Sequence, residues 1–175
     1  MSILYIYGWG LVPALCPTLE YLRAQLDTNI LSEEYDQFKP AASIAYFEEY
    51  ISTKRIDTVI ASSYGAFIAL NISQPIKKIL LNPCLRPSTE IPKLDETAQN
   101  QAFIDNHVAI ESALFNKKFD NPQLTTAFFS ANDTLFSYKA EYLALGYSKY
   151  IDLPDQAHRL NAAGLDVIIS ITERS

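Results

Sequence analysis

The chain has 175 residues, of which 49% are hydrophobic and 19% are charged. This length and balance fit one globular domain with a sizeable core, and they exclude a disordered chain and a pair of typical domains. The formal net charge is -6 and the basic residues are scattered, which argues against nucleic acid or an anionic membrane surface as a partner and favours a small or neutral molecule.

The sequence offers no sorting signal and few cysteines. Its first residues lack the basic flank and the small-residue cleavage site of a signal peptide, and no apolar run is long enough to span a membrane. We therefore expect a cytoplasmic protein. Cys16 and Cys84 are the only cysteines, which is too few for a disulfide framework or a four-cysteine zinc site. We expect two buried thiols and no metal ligand.

The first part of the chain predicts a strand, a helix, a short strand and a second helix. Residues 3–7 form an apolar run that ends in a Gly-Trp-Gly turn, which is typical of a buried strand. Leucines spaced by three or four residues predict a helix over 13–26. The pattern over 29–38 is poor and predicts a short edge strand, and Pro40 opens a second helix with an apolar stripe.

The remaining elements predict a parallel sheet. The further predicted strands cover 57–61, 76–82, 125–130 and 149–153, and further helices cover 64–73, 138–145 and 165–172. Strands that are apolar along their whole length and alternate with helices predict a parallel sheet of about six strands, covered by helices on both faces. Reactive groups in such sheets lie just beyond the carboxyl ends of the strands.

The turn between the strand 57–61 and the helix that follows carries Ser63. A turn this tight requires small residues two positions before and after its apex, and Ala61 and Gly65 meet that requirement. The pattern is A-x-S-x-G, where a nucleophile elbow usually reads G-x-S-x-G. The motif alone leaves open whether Ser63 is a nucleophile or whether Ser62 and Ser63 cap the helix.

A serine nucleophile needs a base, and an acid that orients the base. Of the two histidines, His107 falls in a predicted helix, whereas His158 follows the last predicted strand. Asp133 follows the strand 125–130, although an Asn-Asp turn would also explain it. The order Ser63, Asp133, His158 is the chain order of a hydrolase triad, with each residue at the end of a different strand. This combination predicts catalysis more strongly than any single motif.

The oxyanion of a tetrahedral intermediate needs two backbone donors. One normally comes from the residue after the nucleophile and the other from the loop after the first core strand. The sequence therefore predicts the N–H groups of Tyr64 and Trp9 as donors. Gly8 and Gly10 flank Trp9 and would let the loop turn toward the site, although a simple strand-ending turn would use them as well.

With these residues in place, the chain resembles the YqiA/YcfP-type small bacterial esterases of the α/β-hydrolase superfamily over nearly its whole length. The residues that carry the likeness are the run from Leu4 to Gly8, the Ser62-Ser63-Tyr64-Gly65 elbow, the run from Asn82 to Pro87, Asn132-Asp133 and Ala157-His158. The Gly-Trp-Gly turn is also similar to that of pimeloyl-carrier-protein methyl esterases.

The resemblance implies a compact α/β-hydrolase fold and hydrolysis of small acyl esters or acyl thioesters through a Ser-His-Asp triad, without a metal or an organic cofactor. The chain departs from the family pattern at Tyr7, where the family has His, and at Ala61 and Ala66, where it has Gly. Arg86 matches the pattern, and we expect an ion pair there.

A different class of function stays open. The departures at Tyr7 and Ala61 favour a hydrolase-fold binding or scaffold protein that no longer catalyses, because a fold does not guarantee an activity. The separation of the Ser63 and His158 side chains distinguishes the two hypotheses, since a distance far beyond hydrogen-bond reach would support the binding protein.

Residues 87–122 separate two predicted strands by far more than an ordinary connection. We predict one domain over 1–175 with a helical cap insertion at about 87–122. Its apolar side chains either line an acyl pocket above Ser63 or simply extend the core, and the spacing fits both alternatives. These side chains are Ile91, Leu94, Phe103, Ile104, Val108, Ile110, Leu114, Phe115 and Phe119.

Overall fold

The computed structural model describes residues 1–117 and 121–173. Its strands are β1 (Ser2–Ile6), β2 (Asn29–Leu31), β3 (Thr58–Ser62), β4 (Lys77–Leu81), β5 (Thr125–Asn132) and β6 (Lys149–Ala157). Its helices are α1 (Pro17–Gln25), α2 (Pro40–Lys54), α3 (Tyr64–Asn71), α4 (Pro87–Leu94), α5 (Gln101–Asn116), α6 (Lys139–Ala144) and α7 (Ala162–Glu173). Short 3-10 helices cover Pro13–Leu15, Glu96–Ala98 and Pro122–Leu124.

The strands form one six-stranded sheet in the order β2-β1-β3-β4-β5-β6. Every neighbouring pair is parallel, which confirms the predicted parallel sheet. Because the strands are parallel, their carboxyl ends share one edge. The pairing of β5 with β6 is irregular between Ser130 and Asn132, where β5 leaves the regular ladder just before Asp133.

Two layers of helices cover the sheet, and the alternation of side chains along each strand divides the core between them. In β1, Leu4 and Ile6 belong to a core cluster that includes side chains of α2, α3, α4, α5 and α6. Ile3 and Tyr5 belong to a second cluster, which includes side chains of α1 and α7. This arrangement confirms the prediction of helices on both faces.

The largest differences from the sequence prediction are at three element boundaries. The helix predicted over 13–26 is broken, because Pro17 starts α1 and the residues before it form a 3-10 helix. The strand predicted over 29–38 ends at Leu31, and the chain continues as a loop toward α2. The strand predicted over 149–153 continues to Ala157, as its pairing with β5 resumes beyond the irregularity.

The helices α4 and α5 occupy the segment in which we predict a cap. The buried side chains of this segment join the core cluster that contains α2 and α3, and others pack against it. Ile91, Phe103 and Leu114 are buried, Ile104, Ile110 and Phe115 are partly buried, Leu94 and Val108 are exposed, and Phe119 lies outside the described residues. The described apolar groups of the segment therefore largely extend the core. Among the described residues, no helix is long and apolar enough to cross a membrane.

Candidate active site

Ser63 lies at the apex of a tight turn between β3 and α3. Its backbone has φ 54° and ψ -120°, a sparsely populated conformation for a residue other than glycine. Neighbouring chain holds it there, because the Ser63 N–H donates to the carbonyl of Leu81 at 2.9 Å and the Ser63 carbonyl accepts from the N–H of Cys84 at 3.1 Å. The Ser63 side chain makes no capping hydrogen bond to α3, so helix capping does not explain this serine.

The tight turn at Ser63 requires glycine at position 65 but not at position 61. A Cβ atom on Gly65 would overlap the carbonyl oxygen of Ile6 and would lie 2.5 Å from that of Tyr7. Only glycine therefore lets α3 approach the end of β1 this closely. Ala61, which stands where the family pattern has glycine, is buried within the core cluster of its face, so the fold accommodates a methyl group there.

The structure brings Ser63, His158 and Asp133 together. The His158 Nε2 atom lies 3.0 Å from the Ser63 Oγ atom, and the His158 Nδ1 atom lies 2.7 Å from an Asp133 carboxylate oxygen. The side chain of His158 is 20% exposed and that of Asp133 is 4% exposed. The ring of Phe136 packs edge-on against the imidazole, with centroids 4.8 Å apart. One hydrogen-bonded chain therefore runs from the hydroxyl through the imidazole to a buried carboxylate.

The environment of Asp133 keeps its carboxyl group ionised. Burial alone would raise the pKa of Asp133, but the hydrogen bond with His158 and the N–H groups of Phe136 and Leu135 outweigh burial, and the pKa lies below its ordinary value. Those N–H groups donate to the other carboxylate oxygen at 3.1 Å and 2.8 Å. An ionised Asp133 accepts a hydrogen bond from Nδ1–H, and this tautomer leaves Nε2 unprotonated and able to accept the Ser63 hydroxyl proton.

Asn82 connects the strand ends that carry this chain. It has φ 45° and is buried. Its side-chain carbonyl accepts from the Ser130 N–H at 2.8 Å, and its amide donates to the Ser130 hydroxyl at 2.9 Å and to the His158 carbonyl at 2.8 Å. Asn82 belongs to the residues that carry the family likeness, but the sequence pattern alone does not indicate this role. The available signal is an Asn-Pro pair at a strand end, since Asn tolerates positive φ.

The predicted oxyanion donors lie on either side of Ser63. Tyr64 follows it directly, and the loop of Gly8, Trp9 and Gly10 lies against it, since a Cβ atom on Gly8 would be 3.2 Å from the Ser63 Cβ. The ring centroids of Trp9 and Tyr64 are 5.4 Å apart. The indole N–H of Trp9 donates to the carboxylate of Asp95 at 2.9 Å. The assignment of the two backbone N–H groups as oxyanion donors stays a prediction.

His107, the other histidine, is fully buried away from Ser63 and packs beneath Tyr64. Its Nδ1 atom lies 2.7 Å from the carbonyl of Phe103, its Nε2 atom lies 2.9 Å from the Tyr64 hydroxyl, and its ring stacks on that of Phe103. Burial lowers the pKa of His107 and favours the neutral imidazole. The geometry therefore gives His107 a structural position and leaves His158 as the base available to Ser63.

Arg86 lies over an aromatic ring and not in an ion pair. Its guanidinium carbon is 4.3 Å from the centroid of the Phe115 ring, and none of the described carboxylates forms a salt bridge with it. The ion pair expected from the sequence is therefore not formed within the part of the chain that the structure describes. Nearby, Glu111 of α5 binds α4, since its carboxylate accepts from the N–H and the hydroxyl of Ser88 at 2.7 Å and 2.9 Å.

A cavity of about 210 Å³ opens beside Ser63 and His158. Apolar side chains predominate in its wall, and the hydroxyls of Tyr5, Thr18 and Ser62 add polar groups. The other lining residues are Gly8, Trp9, Leu11, Pro17, Leu81, Leu135, Arg159 and Leu160. Among the described residues of the segment 87–122, none lines this cavity. The described part of that segment therefore fits an extension of the core better than an acyl pocket, which stays a prediction.

The two cysteines are buried, and the described His, Cys, Asp and Glu side chains form no candidate metal site. Cys16 and Cys84 are both buried thiols, and burial raises the pKa of Cys84 well above its ordinary value. Within 1–117 and 121–173, no group of three or more His, Cys, Asp or Glu side chains is arranged to hold a metal ion.

Solved structures match this chain closely in fold. No family model and no curated protein matches the sequence. A YdeN-like protein from Pectobacterium atrosepticum has 18% identity and a TM-score of 0.59, over 98% of this chain and 90% of its own. An esterase from Exiguobacterium antarcticum has 11% identity and a TM-score of 0.65, over 99% and 91%.

The α/β hydrolase domain-containing protein 10 from mouse has 12% identity and a TM-score of 0.69, over 99% of this chain and 88% of its own. The chain therefore has the α/β-hydrolase fold. At these identities the likeness extends to the fold and not to an activity, and the more specific resemblance to YqiA/YcfP-type esterases stays a prediction.

Proposed function

We propose that the chain is a serine hydrolase that cleaves carboxylic acyl esters or acyl thioesters, with Ser63 as nucleophile, His158 as general base and Asp133 as the acid that orients it. The observation that carries the proposal is the hydrogen-bonded chain from the Ser63 hydroxyl through His158 to Asp133, with distances of 3.0 Å and 2.7 Å. The α/β-hydrolase fold adds support, because esterases such as that from Exiguobacterium antarcticum share it.

In the first half of the reaction, His158 Nε2 takes the Ser63 proton as Oγ attacks the acyl carbon. The Asp133 carboxylate stabilises the imidazolium that forms. The oxyanion of the tetrahedral intermediate accepts hydrogen bonds from the Trp9 and Tyr64 N–H groups. When the intermediate collapses, the C–O or C–S bond to the leaving group breaks, His158 returns its proton to the departing alcohol or thiol, and the acyl group stays on Ser63.

In the second half, water replaces the alcohol or thiol. His158 takes a proton from the water as its oxygen attacks the acyl-enzyme, and a second tetrahedral intermediate forms at the same donors. Collapse breaks the bond between the acyl carbon and Ser63 Oγ, and the proton on His158 returns to Ser63. The products are the free carboxylic acid and the original enzyme.

The cavity beside Ser63 suits a small acyl group. Its volume of about 210 Å³ is below the range of roughly 300–1,000 Å³ that is common for ligand pockets. Leu11, Leu135 and Leu160 contribute apolar wall, which favours an alkyl chain. We place a short acyl chain in this cavity and the leaving group toward solvent. Esters and thioesters both fit this arrangement.

The binding-protein alternative loses its main argument. A separation of Ser63 and His158 far beyond hydrogen-bond reach would have supported it, and their atoms are 3.0 Å apart. The two departures that favour it are also accommodated, since Ala61 is packed in the core and the buried Tyr7 side chain accepts a hydrogen bond from the Tyr35 N–H through its hydroxyl at 3.3 Å. The arrangement therefore favours the enzyme.

A fluorophosphonate probe and a panel of p-nitrophenyl and CoA esters test the proposal. Wild-type protein should be labelled and should hydrolyse short-chain members of the panel. Ser63→Ala should lose labelling and about 10⁶-fold in kcat, because the triad acts as a unit. Ser62→Ala should keep the label, since Ser62 is bonded to the Tyr5 hydroxyl. A label that remains in Ser63→Ala and maps to Ser62 would falsify the assignment.

A further inference from the structure

The loop that carries Trp9 needs an external support. Glycine stands on both sides of Trp9, and Gly10 has φ 71°. A backbone with two glycines has wide conformational freedom, whereas an oxyanion donor must be held at a fixed place to stabilise a transition state. The oxyanion loop, defined here as residues 8–10, therefore depends on contacts from outside itself.

Gln37 supplies such contacts from the loop between β2 and α2. Its side-chain amide donates to the Gly8 carbonyl at 3.0 Å, and its side-chain oxygen accepts from the Gly10 N–H at 2.8 Å. One planar carboxamide thus binds the backbone immediately before and immediately after Trp9. Its orientation is unambiguous, because a backbone carbonyl can only accept and a backbone N–H can only donate.

The loop between β2 and α2 also contacts Tyr7, which precedes the oxyanion loop, and Tyr64, which follows Ser63. The Gln37 backbone carbonyl accepts a hydrogen bond from the Tyr64 hydroxyl at 2.8 Å. Residue 37 therefore contacts Tyr64, one proposed oxyanion donor, and the two glycines that flank Trp9, the other. Two positions earlier, the Tyr35 hydroxyl donates to the Tyr7 carbonyl at 2.6 Å. Through these hydrogen bonds, the β2–α2 loop supports the backbone of the oxyanion loop and of Tyr7 before it.

We propose that Gln37 is a positioning residue that holds the oxyanion loop, and with it the Trp9 N–H, in the geometry for transition-state stabilisation. The inference rests on the proposed function. It requires a side chain that both donates and accepts across Trp9. Glutamate has the same shape and can still accept from Gly10, but its second carboxylate oxygen would face the Gly8 carbonyl as a second acceptor. Alanine removes both bonds.

The test uses full-length protein carrying Gln37→Glu or Gln37→Ala, with Gln74→Ala as the matched control. Gln74 is also half-buried, and its amide donates to the Glu48 carbonyl at 2.6 Å and to the Ser52 hydroxyl at 2.9 Å. It lies between α3 and β4, at the opposite edge of the sheet from Ser63. Each variant is compared with wild type by thermal unfolding, by kcat and KM on a short-chain ester, and by fluorescence.

Fluorescence reports on the loop directly, because Trp9 is the only tryptophan in the chain. We expect both Gln37 variants to shift the Trp9 emission and to increase its quenching by acrylamide, while Gln74→Ala leaves both unchanged. We expect kcat to fall by about 100-fold with little change in KM, because a displacement of roughly 1 Å at a donor that acts in the transition state costs that much.

Several outcomes would overturn the inference. They are folded Gln37 variants with wild-type kcat and wild-type Trp9 fluorescence, a rise in KM at constant kcat, or an equal loss of kcat in Gln74→Ala. If the wild type hydrolyses no ester and carries no probe label, the proposed function fails on its own evidence. The fluorescence comparison then still decides whether Gln37 holds the loop.

Discussion

A residue with positive φ occurs at each of the two edges of the sheet, and the two residues have different roles. At the amino edge, before β3, Arg55 has φ 53° and ψ 53° and closes α2 as an ordinary left-handed cap. At the carboxyl edge, Ser63 combines φ 54° with ψ -120°, which no ordinary cap requires. Backbone hydrogen bonds to the Leu81 carbonyl and from the Cys84 N–H hold Ser63 in place. A positive φ indicates a functional site only where neighbouring chain is built to hold it.

Buried polar groups form a network between strand ends at the carboxyl edge, whereas a buried polar group at the amino edge makes a local hydrogen bond. At the carboxyl edge, Asn82 links the ends of β4 and β5 to the His158 backbone, and Asp133 continues the network to the imidazole. At the amino edge, the buried Lys78 ammonium donates to the Ile72 carbonyl, only six positions away. We therefore expect substitutions at the carboxyl edge to reduce activity, and a substitution at Lys78 to alter stability alone.

The sharpest test of this contrast is Asp133→Asn. The amide cannot hold Nδ1 protonated in the way a carboxylate does, so the wrong imidazole tautomer is favoured and kcat should fall by about 10⁴-fold with the fold intact. Asp152→Asn is the matched control, because Asp152 forms an exposed salt bridge with Lys139 at 2.7 Å, and its kcat should stay near wild type. A larger loss in the control would mean that the acid has been misassigned.

Asn82→Ala should have the next largest effect. It removes the bonds to Ser130 and to the His158 carbonyl, so we expect kcat to fall by roughly 10- to 100-fold through misplacement of His158. Asn82→Gly separates backbone strain from side-chain bonding, since glycine adopts φ 45° freely. Activity restored by glycine would show that strain, and not the amide network, explains the loss in the alanine variant.

The cavity beside Ser63 predicts a smaller, graded effect of acyl length. Each added methylene that is buried should gain about 0.8 kcal/mol, or roughly fourfold in kcat/KM, until the cavity is full. A series from acetate to decanoate should therefore rise, peak at short chains and fall. Leu11→Ala should move the peak to longer chains because Leu11 lines the cavity. Leu94→Ala, in the segment 87–122, should leave the profile unchanged, and a shift there would restore that segment as the pocket wall.

The sequence pattern locates the three proposed triad residues better than the residues whose hydrogen bonds hold the site in place. Ser63, Asp133 and His158 each follow a strand in the chain order of a hydrolase triad, so a local pattern and a topological rule locate them together. Gln37 and Asn82 escape such rules because their partners lie 29 and 76 positions away, at Gly8 and His158. Neither spacing forms a motif, and only the folded chain brings these amides to their partners.

The sequence pattern misplaces the start of the first helix for a local reason, and it leaves the packing of the segment 87–122 undecided for a tertiary one. Leucine spacing extends the first predicted helix back to residue 13, but Pro17 is where α1 starts. The predicted cap segment is rich in apolar residues, and periodicity cannot show which layer an apolar face joins. Phe103 and Leu114 join the core cluster that contains α3, a choice made by tertiary packing and not by spacing.

At the amino edge, Lys78→Met should change the pH dependence of stability and leave kcat within about twofold of wild type, because Lys78 lies at the start of β4, away from the triad. Burial, and then the charge of Lys117, lower the pKa of Lys78 from 10.5 to about 8, against an opposing effect of Glu48. Between these values the unfolded chain keeps the proton and the folded chain has lost it, so the unfolding free energy of wild type rises with pH. Over the whole interval this single group contributes about 3 kcal/mol.

Methionine removes the titration, while ionisation of the tyrosines at high pH affects both proteins alike. The difference in unfolding free energy between Lys78→Met and wild type should therefore move by about 3 kcal/mol in favour of wild type from pH 7 to pH 10.5. Urea unfolding at pH 7, 8.5 and 10.5 measures it, and parallel curves for the two proteins would contradict it.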